Sequence, residues 1–349
     1  MSDIITIGSA TIDTFIECDD ANIVSVNTKK CRNEFMAYPY GAKVEVDGFK
    51  TAIGGGGVNA ASNFANLGFS TSAIFKVGKD FLGNTISEIL KDKNIDMSNI
   101  IVSDNEQSGF SIILVSFEGN RTVLAHRGTN GTIKENEINY DAVKNAKWLY
   151  IAPLNGESGK VLDHLSQFAE ENNVNVAINP GSSSLKRGMK YFEKILATAE
   201  VVVMNKEEAS LVTGIVVRTD TKDEKFSDAP IHVDVKAMLA KLKSMHAKIA
   251  IITDGKNGVY AFDGKTYYKC PEFPAKVVST LGAGDALSST FVGSLEYTNW
   301  DIGKSLMMAS VNAASVVSKF GAQEGFLSFK EIEEKLAQTP EFKLETFEA

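Results

Sequence analysis

A chain of 349 residues with 44% hydrophobic and 23% charged residues has the balance of an ordinary globular protein, long enough for one large α/β domain or two average ones. Its formal net charge of −8 argues against nucleic acid and anionic membrane as partners, so a phosphate-bearing substrate must be drawn by local amides and cations. Cys18, Cys31 and Cys270 are scattered with no C-x-x-C spacing, which gives neither a disulfide framework nor a metal site and fits a reducing compartment. The opening MSDIITIGSATID has no basic region ahead of an apolar run, and no apolar stretch is long enough to span a bilayer. A cytoplasmic protein is expected.

In chain order, residues 4–8, 72–77, 148–151, 174–179, 200–204 and 248–253 read as buried strands. Helical patterns fall between them at 60–67, 84–91, 159–171 and 235–245. Later segments at 286–295 and 306–319 are also helical. Gly68 and Gly321 sit where helices should stop. This alternation predicts a mostly parallel sheet covered on both faces. Two regions break the rhythm. Residues 11–53 contain no clear helix, and the pieces 14–17 and 43–49 alternate like exposed strands. Residues 109–125 read as a hairpin turning at Glu118, Gly119 and Asn120. These strands are expected to form a small β-lid over a cleft, which could also serve as a dimer surface. The polar stretch 219–228 reads as a mobile loop, and the acidic tail after Gln338 as peripheral. One domain spanning 1–349 is expected, with lid strands drawn from about 11–53 and 109–127.

Four patterns carry chemistry. The glycines at 54–57, followed by Val58 and Asn59, precede a helix, and so costly a run argues for close approach of the backbone to something. Asn205 and Glu208 lie three apart after a strand and share one face if a helix begins there. They suit Mg²⁺ that keeps its waters, or simply cap a helix. Thr253, Gly255 and Gly258 belong to a turn that either receives a nucleotide or joins two strands. Gly282, Ala283, Gly284 and Asp285 place bare amides at a helix N-terminus, which favours an anion. An aspartate there would repel phosphate unless it takes a proton from an attacking hydroxyl while the amides hold the phosphoryl charge. The alternative is a capping aspartate behind a glycine turn.

The GGGGVNAASNFANLG, NKEE, TDGKNG and STLGAGDALSSTF stretches together resemble the ribokinase-like (PfkB) carbohydrate kinase family, from about Ile4 to Phe326. The resemblance implies an αβα sandwich with a β-lid that transfers the γ-phosphate of ATP, with Mg²⁺, to a sugar, sugar phosphate or nucleoside hydroxyl. By position it implies Asp285 as catalytic base, with Gly282, Ala283 and Gly284 as the anion hole. Asp13, Gly55, Gly56 and Asn59 would meet the substrate, and Asn205 and Glu208 would hold Mg²⁺ and its waters. Thr253, Gly255, Gly258 and Asn312 would meet the nucleotide. Two departures stand out. Ser279 replaces the aspartate that supplies an ion ligand in potassium-using relatives, so monovalent-cation activation is not expected. The run from Ile151 to Asn155 also lacks the carboxylate that ribokinases place on ribose. Lys43 matches a substrate-phosphate lysine of the phosphofructokinase branch, with Arg121 and Arg127 as further charge, and Phe15, Phe35 and Tyr38 could stack on a nucleoside. A neutral sugar is the favoured substrate, with a sugar phosphate or nucleoside as alternatives. A non-catalytic binding protein is disfavoured because neither the base nor the glycines nor the metal pair is lost. A nicotinamide enzyme would need G-x-G-x-x-G after the first strand, where this chain has GSATID.

Overall fold

In the computed structural model of the chain, residues 2–18, 20–28, 32–117, 121–181, 185, 189–217 and 231–349 are described. The turn at Glu118, Gly119 and Asn120, the 219–228 loop and Cys31 lie outside them. A nine-stranded sheet runs in the order Glu345–Glu348, Thr266–Cys270, Val259–Phe262, Ile249–Thr253, Val201–Asn205, Asn175–Ile178, Trp148–Ile151, Ile4–Ile7 and Thr71–Ile74. From Ile249–Thr253 to Thr71–Ile74 every neighbouring pair is parallel, and the pairs on the other side are antiparallel. The parallel strands read as continuous apolar runs because both faces are buried. Successive residues serve opposite layers. Ile5, Leu149, Val176, Val202 and Ala250 pack against the 162–171 and 233–244 helices. Ile4, Trp148, Ala177, Val201 and Ile249 pack against Phe64, Phe291 and Leu306 of the helices on the other face.

Helices Gly56–Asn66, Phe81–Asp92, Leu162–Glu171, Val233–Ser244, Ala283–Tyr297 and Ile302–Val317 lie where the periodicity places them. Some expectations need correction. The strand expected at 72–77 breaks at Phe75: Thr71–Ile74 stays in the main sheet, while Lys76–Gly78 pairs with Ile101–Ser103. The fully buried Phe75 ring and the bond from Ile101 N to Phe75 O hold that break. The expected helix at 159–171 begins as a tighter 3₁₀ turn over Gly156–Val161. The tail is not peripheral. Glu345–Glu348 closes the sheet edge, and Phe342 packs edge-on against Phe273 with ring centroids 5.0 Å apart.

A separate four-stranded sheet runs Arg121–His126, Gly109–Val115, Thr11–Glu17, Gly48–Gly54. It contains the expected hairpin and the 14–17 piece. The strand expected at 43–49 instead starts at Gly48, because its partner ends at Glu17, opposite Gly48. A further hairpin, Asn22–Asn27 with Arg32–Ala37, is additional to the sequence reading. No helix among the described residues is long and apolar enough to cross a membrane.

Candidate active site

The site is assembled at the carboxyl ends of the parallel strands, where open α/β sheets bind ligands. Ser9 follows Ile4–Ile7, Asn155 follows Trp148–Ile151, and Asn205 and Thr253 are paired last residues of adjacent strands. The Ala283–Tyr297 helix starts behind Gly282, whose φ of 77° and tight fit, 2.6 Å from an added Cβ to Ala322 O, demand glycine. No side chain caps this helix, so the amides of its first turn, with Gly282 at the N-cap and Ala283 and Gly284 behind it, are left as donors for an anion.

Asp285 is half-buried, and its Oδ2 accepts a hydrogen bond from Asn59 Nδ2 at 2.8 Å. Burial raises its pKa above the usual carboxylate range, and the Asn59 bond opposes that rise. The first turn is locked from behind. Ser288 Oγ donates to Gly284 O at 2.7 Å and lies 2.6 Å from the hydroxyl of the buried Tyr150.

On one side of Asp285 is an apolar cavity of about 340 Å³, walled by Thr253, Gly255, Gly258, Ala283, Gly284 and Ala314. The 253–258 turn and the start of the Ala283–Tyr297 helix thus share one wall. Asn312 does not join them. It is fully buried, donating to Asn63 Oδ1 and Thr290 Oγ1 while its Oδ1 accepts from Leu327 N. Its neighbours on the helix, Ser310, Ala313 and Ala314, line the cavity instead.

A smaller cavity of about 190 Å³ is lined by Ser9, Asp13, Ser111, His126, Arg127 and Asn155. Asp13 is buried, and the hydroxyls of Thr11 and Ser111 both donate to its Oδ1. Among the described residues its Oδ2 takes no such bond, and it lies 2.1 Å from where a Cβ on Gly54 would sit. Desolvation raises the Asp13 pKa, and the Ser111 and Thr11 bonds oppose it. The two cavities are linked through the glycine run: Gly56 N donates to Ser9 Oγ at 3.1 Å, and the space beside Gly56 faces Asp285 Oδ1.

The glycine run is explained largely by the chain itself. Gly55 has φ 97°, and a Cβ there would come 2.4 Å from Ser9 O, while one on Gly57 would meet the Gly8 backbone at 2.7 Å. Asn59 does not reach into the cavity, because both ends of its amide are taken, by Asp285 and by Gln323. Lys43 is exposed in the irregular stretch before Gly48 and walls neither cavity.

Asn205 and Glu208 form a reciprocal helix cap: Asn205 Oδ1 accepts from Glu208 N at 2.8 Å, and Glu208 Oε2 from Asn205 N at 3.1 Å. No cluster of three or more His, Cys, Asp or Glu placed to hold an ion exists among the described residues. This sparse oxygen set suits Mg²⁺ carried mainly by phosphates and water.

Against the lid, a cavity of about 660 Å³ is lined by Phe15, Phe35, Arg121, Ser279, Thr280 and Phe320. Arg121 Nη2 donates to Thr280 Oγ1 at 2.8 Å, joining the lid to the loop before Gly282. The aromatic residues considered for a nucleoside do not form one platform. Phe15 packs on Phe320 at 4.5 Å, and the Tyr38 hydroxyl meets the Met36 sulfur. Sequence reasoning missed Ser111, Asn130 and Gln323, because their partners lie far away in the chain. Asn130, for example, holds both backbone groups of Ala10.

Residues 20–328 match the model of the pfkB family of carbohydrate kinases. The 5-dehydro-2-deoxygluconokinase of Clostridium botulinum is 27% identical over 307 residues, covering 84% of this chain and 86% of the relative. The structure of Arabidopsis thaliana ribokinase complexed with ribose and ATP aligns with a TM-score of 0.76 at 20% identity, over 96% of this chain and 98% of that one. A putative ribokinase II from E. coli in complex with ATP and Mg²⁺ aligns with a TM-score of 0.76 at 15% identity, over 97% and 100%. These two likenesses establish the ribokinase-like fold.

Proposed function

The chain belongs to the pfkB family of carbohydrate kinases, and from that premise we propose that it transfers the γ-phosphate of ATP to a hydroxyl of a small neutral sugar. Asp285 is the general base. It removes the proton of the attacking hydroxyl, and its raised pKa brings it nearer the working pH of a base. The Gly282, Ala283 and Gly284 amides hold the charge of the phosphoryl group in transfer. Thr253, Gly255 and Gly258 line the nucleotide cavity, and Asp13 accepts sugar hydroxyls at Oδ2. Asn205 and Glu208 would hold Mg²⁺ through its waters, and the ion when bound neutralises phosphate charge. Gly55 and Gly56 shape the floor between the cavities, and the lid sheet provides the surface for a homodimer.

The observation that carries this reading is the place of Asp285, at an uncapped helix start whose first residues wall the apolar cavity, with its Oδ1 facing Gly56, which is bonded to Ser9 of the Asp13 cavity. The test is ATP consumption across a panel of sugars, phosphosugars and nucleosides, with the product position fixed by NMR. Turnover confined to sugars supports the reading, and turnover of nucleosides alone would replace it. A second reading, an anionic sugar, is favoured by Arg127. It lines the Asp13 cavity beside His126 and makes no ion pair among the described residues. Loss of activity in Arg127→Ala on a phosphosugar, with none on neutral sugars in the parent, would establish that alternative.

A further inference from the structure

Four side chains from distant parts of the sequence form a continuous hydrogen-bonded line ending at Asp285. Lys93 Nζ, just past the Phe81–Asp92 helix, donates to Gln323 Oε1 at 2.6 Å. Gln323 Nε2 donates to Asn59 Oδ1 at 2.8 Å, and Asn59 Nδ2 donates to Asp285 Oδ2 at 2.8 Å. We propose that Lys93 and Gln323 are positioning residues that fix which way the Asn59 amide faces, and so keep an N–H rather than a carbonyl oxygen against the Asp285 carboxylate. The inference rests on the reading of Asp285 as the base.

The argument is one of direction. An ammonium group has three donors and no acceptor, whereas a primary amide presents a donor at one end and an acceptor at the other. Lys93 therefore accepts only the oxygen end of Gln323. Gln323 must then turn its nitrogen to Asn59, and Asn59 its nitrogen to Asp285. Gln323 and Asn59 are 7% and 4% exposed, so bulk water is poorly placed to substitute for a missing partner. Without Lys93 only the Asp285 carboxylate itself selects this polarity, and it does so only while it is ionised. In the reverse, a carbonyl oxygen faces the carboxylate, which is relieved only when Asp285 takes up a proton. The other ionisable groups near the line are Tyr150, behind the first turn and sensitive to the Asp285 charge, and Glu324, which acts on Lys93.

The test reads Asp285 directly. Protein carrying ¹³Cγ-aspartate is titrated by NMR, with the Asp285 signal identified by its absence in Asp285→Asn. In Lys93→Met, which keeps the stem and removes the donors, the Asp285 midpoint should rise by about one pH unit. Gln323→Glu, which offers Asn59 no donor, should raise it further, and Lys93→Arg should restore the parent value. With the best sugar from the panel, the acid limb of kcat should move upward by the same interval, while KM for ATP and sugar stays within about twofold. Parent-like midpoints in both Lys93→Met and Gln323→Glu would overturn the proposal. A shifted titration together with full turnover by Asp285→Asn would instead overturn the base assignment and leave the positioning role of Lys93 standing.

Discussion

At Asp285, the proposed base, the desolvation that raises its pKa also makes its charge costly. Asp285→Asn should lower kcat by roughly 10²–10⁴ while leaving ATP affinity nearly unchanged, as measured by single-turnover rates and calorimetry. A raised carboxylate pKa in the folded state means that the charge opposes folding above it. The parent's penalty is absent below the unfolded pKa and grows as pH rises through the folded one. Asparagine can still offer an oxygen to Asn59 Nδ2, so the variant should melt no lower than the parent at neutral pH, and the gap should close as the pH falls toward 4. A variant that melts well below the parent at pH 7.5 would contradict this. At the other cavity, Asp13→Ala should weaken binding of a neutral sugar severely, because charge-assisted bonds are worth about 1.5–3 kcal/mol each. Lys43→Ala, at an exposed position, should change the specificity constant little. A collapse with Lys43→Ala would place a phosphate on the substrate. Asp285 stood out in the sequence because a carboxylate behind glycines at a helix start is unusual, whereas Asp13 was singled out only through the family resemblance. Gln323, Lys93 and Ser111 did not stand out. Their meaning lies in partners 264, 230 and 98 residues away, which no local pattern encodes.

The start of the Lys206–Thr213 helix shows why a motif can be read correctly as a pair and still leave its purpose open. Asn and Glu three apart are as apt for a reciprocal cap as for an ion, and here the cap is formed. Asn205→Ala should therefore cost about 0.5–2 kcal/mol of stability, seen as a lower denaturation midpoint. Glu208→Gln keeps the shape of the cap, so its effect should appear as a higher Mg²⁺ requirement for half-maximal rate rather than as lost sugar affinity. Equal Mg²⁺ dependence in variant and parent would leave the pair with capping alone. Elements buried on both faces, such as Trp148–Ile151, were legible as unbroken apolar runs. The edges were harder to read. Asn22–Asn27 is almost wholly exposed, and Glu345–Glu348 carries acidic ends, so neither has a buried face to impose a pattern.

For the molecule as a whole, strand–helix alternation was enough to predict the sandwich, because a parallel strand needs a crossover and a crossover needs a helix. It could not say how the lid meets that sandwich, since the lid's contacts, such as Arg121 with Thr280 and Phe15 with Phe320, join strands to loops rather than repeats to repeats. The lid also presents apolar residues to solvent. Phe49 and Leu124 are 71% and 53% exposed on the outer strands of its sheet, and Val24 and Val26 are 45% exposed on the neighbouring hairpin. Exposed apolar area gathered on one small sheet favours association, and among the described residues the strand Arg121–His126 ends that sheet with no further strand paired to it. Two copies meeting through their lids would cover both features at once and would brace the strand that carries Asp13. The expected result is a concentration-dependent dimer by sedimentation velocity, shifted toward monomer in Phe49→Glu and Leu124→Lys. Because neither side chain lines the Asp13 or nucleotide cavity, any loss of kcat in these variants should follow the dimer population and recover at high protein concentration. A parent that sediments as a monomer at all concentrations would rule the lid out as a self-association surface.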